Sequence, residues 1–171
     1  ETRKWVDKVI VVDDASRDGT SEIAEKEGAK VIKNKMNIGQ LESLKKGMAE
    51  SSCDIFVNLD ADGEHKPRDI AKLIGPLTNE EADLVLGKRD YIPRPSERWI
   101  DYLIRLKTKE FMDSGTGYRA IRYNLAKNLQ VNGYCPCGIL VLETLKRGAK
   151  IEQIPISINE IDEPRGVIWK H

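Results

Sequence analysis

Two short apolar runs in this chain stop abruptly at paired carboxylates, and this pattern constrains the fold more than any other feature. One run covers residues 8–12 and ends at Asp13 and Asp14; the other covers 55–59 and is followed by Asp60, Ala61 and Asp62. Continuous apolar runs of this length read as parallel strands buried on both faces. A carboxylate pair directly past a buried strand is costly to fold unless it is bonded. In open α/β sheets the carboxyl ends of the strands are also where ligands bind. The chain is therefore expected to hold a cation, and something that the cation bridges to, at one edge of a parallel sheet.

The remaining pattern supports that layout. Strands are expected over 7–12, 29–33, 55–59 and 83–87. Between them lie helices over 18–27, which Gly28 ends, over 39–50, and over 67–74, which Pro67 opens. Leu41, Leu44 and Met48 share one face of the second helix. Strand and helix in alternation with short connections predict an α/β domain with a largely parallel sheet. Beyond Pro95, the residues Trp99, Ile100, Tyr102, Leu103, Ile104 and Leu106 form a broad apolar arc, with Arg98, Asp101 and Arg105 placed opposite. Further elements are expected over 117–121 (strand), 123–129 and 139–147 (helices) and 150–158 (strand).

Composition excludes several classes. The 171 residues fit a single domain spanning 1–171. Lys plus Arg and Asp plus Glu are 28 each, so no net field draws the chain onto nucleic acid. An odd count of three cysteines makes no disulfide framework and points to a reducing, cytoplasmic compartment. No apolar run approaches the roughly 20 residues that span a bilayer. Work at a membrane would be peripheral, from its cytoplasmic face.

Each motif has a functional and a plain reading. If the chain stays extended past Leu59, then Asp60, Asp62 and Glu64 share a face and form an oxygen set for Mg²⁺ or Mn²⁺. The same short pattern also serves as a solvated turn ahead of Pro67. Asp18 and Thr20 suit a helix cap. Asp13 and Asp14 are better placed to accept from a nucleobase or ribose. Arg89, after the fourth strand, could neutralise a diphosphate, and Asp113 precedes glycines that let backbone approach a ligand. Cys135 and Cys137, with only His65 and His171 at a distance, make a poor zinc set and read as packing. The arc over 99–106 is core or a partner surface; its flanking Arg98, Arg105, Lys107 and Lys109 also suit a helix lying on anionic lipid.

Taken together, Val-Asp-Asp-Ala-Ser-Arg-Asp-Gly-Thr (12–20), Asn37-Ile38-Gly39, Leu-Asp-Ala-Asp-Gly-Glu-His-Lys-Pro (59–67), Gly87-Lys88-Arg89, the run 113–119 and Gly148 with Ile154-Pro155-Ile156 resemble glycosyltransferase family 2. The resemblance is to its GT-A fold and, in particular, to the dolichyl- or polyprenyl-phosphate sugar synthase branch. It implies that Asp14 contacts the nucleobase with Asp13 in support. Asp60 and Asp62 would bind metal and diphosphate, with Glu64 assisting. Arg89 would face the donor phosphates, Arg119 and Arg165 the acceptor, and Asp113 would sit in the sugar and acceptor region. Asp62, Asp113 and Arg89 would then be the catalytic set.

The chain departs from that family pattern in two places. The family's first strand and helix, roughly 25 residues at ordinary lengths, have no counterpart ahead of Trp5, so the domain is expected to be N-terminally incomplete, and a chain truly without them poorly stable or weakly active. The acidic residue that many soluble members carry before the helix ending near Gly148 is also missing; Cys137 and Ile139 stand there. A sugar hydroxyl needs a general base before it can attack. A lipid monophosphate, with a second pKa of about 6, is already anionic. The expected reaction is therefore inverting transfer from a GDP- or UDP-sugar to a polyprenyl phosphate, unless Asp113 is the base. The alternatives are a soluble member glycosylating a sugar or protein hydroxyl, and a non-catalytic nucleotide-sugar binder.

Overall fold

A computed structural model describes residues 1–92, 95–133, 136 and 138–159. Its strands are β1 (Ile10–Asp13), β2 (Lys30–Lys33), β3 (Ile55–Asn58), β4 (Leu84–Lys88), β5 (Arg119–Arg122) and β6 (Ile151–Pro155). Helices α1 (Thr20–Lys26), α2 (Gln40–Ala49), α3 (Ile70–Thr78), α4 (Pro95–Thr108), α5 (Tyr123–Ala126) and α6 (Ile139–Lys146) lie between them. The elements fall where the hydrophobic pattern places them, within a few residues at each end. The largest shift is α3, which is preceded by a 3-10 turn over Pro67–Asp69 and runs past residue 74 to Thr78 because Leu77 is a fully buried core residue.

Two hydrogen-bonded ladders result among the described residues. β1 and β2 pair in parallel, and the other four strands form a sheet in the order β3-β5-β4-β6. β4 and β6 are parallel, while β5 runs antiparallel between β3 and β4. Strands β3, β4 and β6 therefore share a direction, and β5 is the single reversed one in that sheet. No described residue supplies the interior strand that the family resemblance calls for.

β4 shows why this sheet is covered on both faces. Leu84, Val85 and Leu86 have no exposed surface, and alternate side chains point to opposite faces. Val85 joins Ile70, Leu73, Leu77, Tyr118 and Ile156 on one side. Leu84 and Leu86 join Ile104, Met112, Leu140 and Val141 on the other. Each fully buried aliphatic side chain stabilises the fold by about 1.5–3 kcal/mol. The β1–β2 pair is held by α2, where the absence of a side chain at Gly47 admits Val12: a Cβ there would lie 3.3 Å from Val12 Cγ2.

Reversing β5 has a functional consequence. Its first residue, Arg119, stands opposite Asn58 at the end of β3 and Leu86 near the end of β4. The segment entering β5, residues 112–118, is thereby delivered to the carboxyl ends of β3 and β4. Asn58 donates to the Gly117 carbonyl at 2.6 Å, and the Gly87 N–H to the Tyr118 carbonyl at 2.9 Å.

Candidate active site

The carboxylates that end β1 are both engaged by their own neighbourhood. Asp13 is buried; its Oδ1 accepts from the Ser16 N–H at 2.8 Å and its Oδ2 from the Ser21 hydroxyl. These donors, the Ser21 hydroxyl foremost, hold its pKa at about 2. Asp14 Oδ1 accepts from Ile38 N–H (2.8 Å) and Asn34 Nδ2 (2.9 Å), and Oδ2 from Gly39 N–H (2.8 Å). Burial alone would raise its pKa, but the Ile38 N–H, the Asn34 amide and the Gly39 N–H bring it below the ordinary carboxylate value. A carboxylate has about four lone-pair sites. Asp14 thus ties the end of β1 to the entrance of α2, with the Ser43 hydroxyl as a further donor nearby.

The loop after β3 is bent, which corrects the expectation of an extended acidic face. Residues 61–63 form a bend, Gly63 takes φ +81°, and the Glu64 N–H turns back to Asp62 Oδ1 at 3.0 Å. Asp62 is exposed while Glu64 is buried, so Asp60, Asp62 and Glu64 do not share one side. Asp60 packs on the incoming 112–118 segment: a Cβ at Gly117 would come within 1.9 Å of Asp60 Oδ2. Glycine is required there by close approach, to Asp60 of the chain itself rather than to the ligand that the sequence reading expected.

His65 anchors the loop from behind. It is buried, its Nδ1 accepts from the Asp60 N–H at 3.3 Å, and its ring lies 4.8 Å from that of Tyr118. Burial holds its imidazole below the ordinary histidine pKa. The chain beyond β6 covers the same loop, with an antiparallel bridge from His65 to Ile158. Asn159 donates from its backbone to the Glu64 carbonyl (2.8 Å) and from its side chain to the Gly63 carbonyl (2.9 Å).

Both arginines expected to face phosphate are directed inward. Arg89 donates from Nε to Asp113 Oδ2 (2.9 Å) and from Nη2 to Asp113 Oδ1 (2.7 Å) and Glu97 Oε2 (2.9 Å). Its pKa rises: burial opposes the charge, but the bonds to Asp113 and the fields of Asp113 and Glu97 outweigh it. Arg119 is buried and donates to the carbonyls of Thr116 (2.6 Å), Ser114 (3.1 Å) and Pro136 (3.2 Å). Burial lowers its pKa to about 10. In this arrangement both arginines hold the 113–119 loop in shape. Asp113 is only 1% exposed and is paired twice to Arg89. Arg165, Cys135 and Cys137 lie outside the described residues.

Glu97 went unread in the sequence, and Asp101 and Ser114 were not singled out as partners of each other. Asp101 is fully buried, and its Oδ1 accepts from the Ser114 N–H (2.9 Å) and hydroxyl (2.6 Å). Residues 97, 101 and 104 lie on one helix face, but two acids on that face read as solvated.

The donor chemistry here suits a hard divalent cation, since Asp60 and Asp62 offer carboxylate oxygens at the ends of the strands. Among the described residues, no three His, Cys, Asp or Glu side chains gather to hold one. Mg²⁺-type ions are commonly held by one or two carboxylates together with substrate phosphates, and Asp60 with Asp62 fits that mode.

Comparison with known proteins agrees with this fold. An uncharacterized protein of Methanocaldococcus jannaschii is 30% identical, over 90% of this chain and 77% of its own length. Dolichol-phosphate mannosyltransferase of Pyrococcus furiosus is 29% identical over 88% of this chain and 47% of its own. Glucosyl-3-phosphoglycerate synthase of Mycobacterium tuberculosis superposes with a TM-score of 0.80 at 27% identity, covering 93% of this chain and 62% of that one. The same synthase has been solved with Mn²⁺, UDP-glucose and phosphoglyceric acid. The present chain thus spans about half to two thirds of the length of these two enzymes. The model of the family described as "Glycosyl transferase family 2" matches residues 4–142, from ahead of β1 into α6. With its acidic strand ends and its GT-A architecture, this chain belongs to glycosyl transferase family 2.

Proposed function

We propose that this chain is a single GT-A domain that transfers a sugar, with inversion, from a nucleotide-diphosphate sugar to a polyprenyl phosphate. The observation that carries the acceptor half is the state of Asp113, the one candidate base in the sequence reading. It is buried and committed to Arg89. A hydroxyl acceptor needs its proton removed, whereas an acceptor phosphate is already anionic. An acceptor needing no base suits this site.

The donor half rests on Asp60 and Asp62, which would hold Mg²⁺ or Mn²⁺. That ion supplies Lewis-acid stabilisation of the departing diphosphate. The chain itself supplies shape. Asp14 fixes the 38–39 backbone beside β1, where it would shape the nucleoside pocket. Arg89 and Arg119 hold the 113–119 loop against Asp60. Work from the cytoplasmic face of a membrane is part of the proposal; among the described residues no helix is long and apolar enough to cross one.

A second reading has support from the fold comparison, because the Mycobacterium synthase binds phosphoglyceric acid: a soluble member acting on a hydroxyl acceptor. A thermal-shift panel of GDP, UDP and their sugars, with and without Mn²⁺, tests the donor half, since a ligand of the native state raises the melting temperature. A response that requires Mn²⁺ and falls at least ~10-fold in affinity with Asp62→Asn is expected; no response to any nucleotide overturns it. Transfer to a short-chain polyprenyl phosphate rather than to simple sugars or phosphoglycerate separates the two acceptor readings.

A further inference from the structure

α4 is folded inside out. Its buried face carries Glu97, Asp101 and Ile104, while Trp99 (62% exposed), Tyr102 (46%), Leu103 (49%) and Leu106 (66%) face outward. The outward four stand at i, i+3, i+4 and i+7, a continuous apolar stripe of the kind that ordinarily turns to the core. The Trp99 and Tyr102 rings stack at 5.6 Å, making an aromatic platform at one end. At 100° per residue, Arg98 and Arg105 border the stripe on one side and Lys107 on the other, and all three are exposed. Both acids of the helix are withdrawn: Glu97 is bonded to Arg89 and Asp101 to Ser114. The outer surface of α4 is thus apolar at its centre, basic at its borders and free of carboxylates.

We propose that this face docks the chain on an anionic lipid bilayer, with the four apolar side chains entering the headgroup boundary and the bordering cations meeting lipid phosphates. That arrangement is the one an interfacial helix needs. Trp and Tyr favour the same depth, being apolar in body with one polar atom. Charge decides against a second copy as the occupant. A two-fold contact brings the same patch onto itself, setting the cations Arg98, Arg105 and Lys107 of one copy against those of the other, with no acid of α4 on that face to relieve them.

The purpose of docking rests on the polyprenyl-phosphate reading, though its test does not. The inner face of α4 holds Arg89 and Ser114 directly, so the 113–119 loop lies about one helix diameter, roughly 10–12 Å, from the docked surface. A phosphate anchored in that surface by its own lipid is brought within reach of the site without leaving the bilayer.

The test is co-sedimentation of the full chain with phosphatidylcholine vesicles, with and without phosphatidylglycerol, followed also by tryptophan emission. Binding is expected to the anionic vesicles, to weaken roughly five-fold for each of Arg98→Gln and Arg105→Gln, and to be lost in Trp99→Ser/Leu106→Ser. The serine variant, changed only at exposed positions, is expected to keep its melting temperature and its nucleotide response. Unchanged vesicle binding in that variant overturns the proposal. So does a wild-type chain that responds to nucleotide but ignores anionic vesicles, or a lipid-free dimer that the serine variant dissociates. Vesicle binding lost in the variant, in a chain that answers to no nucleotide, upholds the docking face and sinks the donor reading instead.

Discussion

Among individual residues, Arg89 shows how far a charge can be from the role its type implies. An arginine after a buried strand is an apt diphosphate ligand, yet its fork matches Asp113 in two bonds and reaches Glu97 in a third. Replacing Arg89 with Met leaves two buried carboxylates facing each other. The expected cost is about 3–5 kcal/mol, read from urea unfolding. Arg89→Lys is expected to recover only part of it, since an ammonium cannot bond Asp113 as a fork does. Asp13 has a pH signature. Its folded pKa of about 2 lies below the ordinary 3.8, so its contribution is full above pH ~4 and disappears as pH falls through ~2. Asp13→Asn is therefore expected to be less stable than wild type at neutral pH, with the gap closing between about pH 4 and pH 2 in a urea-midpoint series. The positions of Asp13, Asp14, Asp60 and Asp62 were legible, because a strand end is a local feature. The partners of Arg89 and Arg119 were not, since they lie 8 to 24 positions away or are backbone carbonyls.

Among elements, α4 is the one whose existence was legible and whose orientation stayed open between core, a partner surface and a lipid-facing helix. Its periodicity specifies an amphipathic helix, but periodicity does not say which stripe meets the protein. Here Ile104 is the apolar anchor at 1% exposure, and two acids flank it inward because Arg89 and Ser114 are there to bond them. Two substitutions on one helix check this. Ile104→Ala is expected to cost about 2–4 kcal/mol, whereas Leu106→Ala, equally apolar in sequence, is expected to stay within about 0.5 kcal/mol. Equal losses in denaturant unfolding would mean that the stripe over 99–106 is packed after all. The β1–α2 junction was better anticipated: two carboxylates after a strand do bind donors, but Asp14 accepts chiefly from the chain's own 34–39 segment.

At the scale of the whole molecule, 28 basic and 28 acidic residues balance, and the charges that organise the site are interior. Exposed pairs such as Lys30–Glu50 and Lys45–Glu42 each contribute about 0–1 kcal/mol, while the buried Arg89 pairs are poorly screened. Raising NaCl from about 0.1 to 1 M shortens the Debye length from ~10 to ~3 Å. It is expected to change the unfolding free energy by less than about 1 kcal/mol; a much larger loss in salt-dependent urea curves would place the stabilising charge at the surface. By itself, the sequence determined the alternation of strands and helices, the family, and the acidic strand ends, since each follows from residue type and spacing over a few turns of chain. Only the tertiary structure decided that β5 reverses to bring residues 112–118 against Asp60, that Arg89 and Arg119 serve the loop, and that α4 shows its aromatic face outward. Those outcomes depend on which distant groups meet and which charges are withdrawn from water, and no local pattern carries that information.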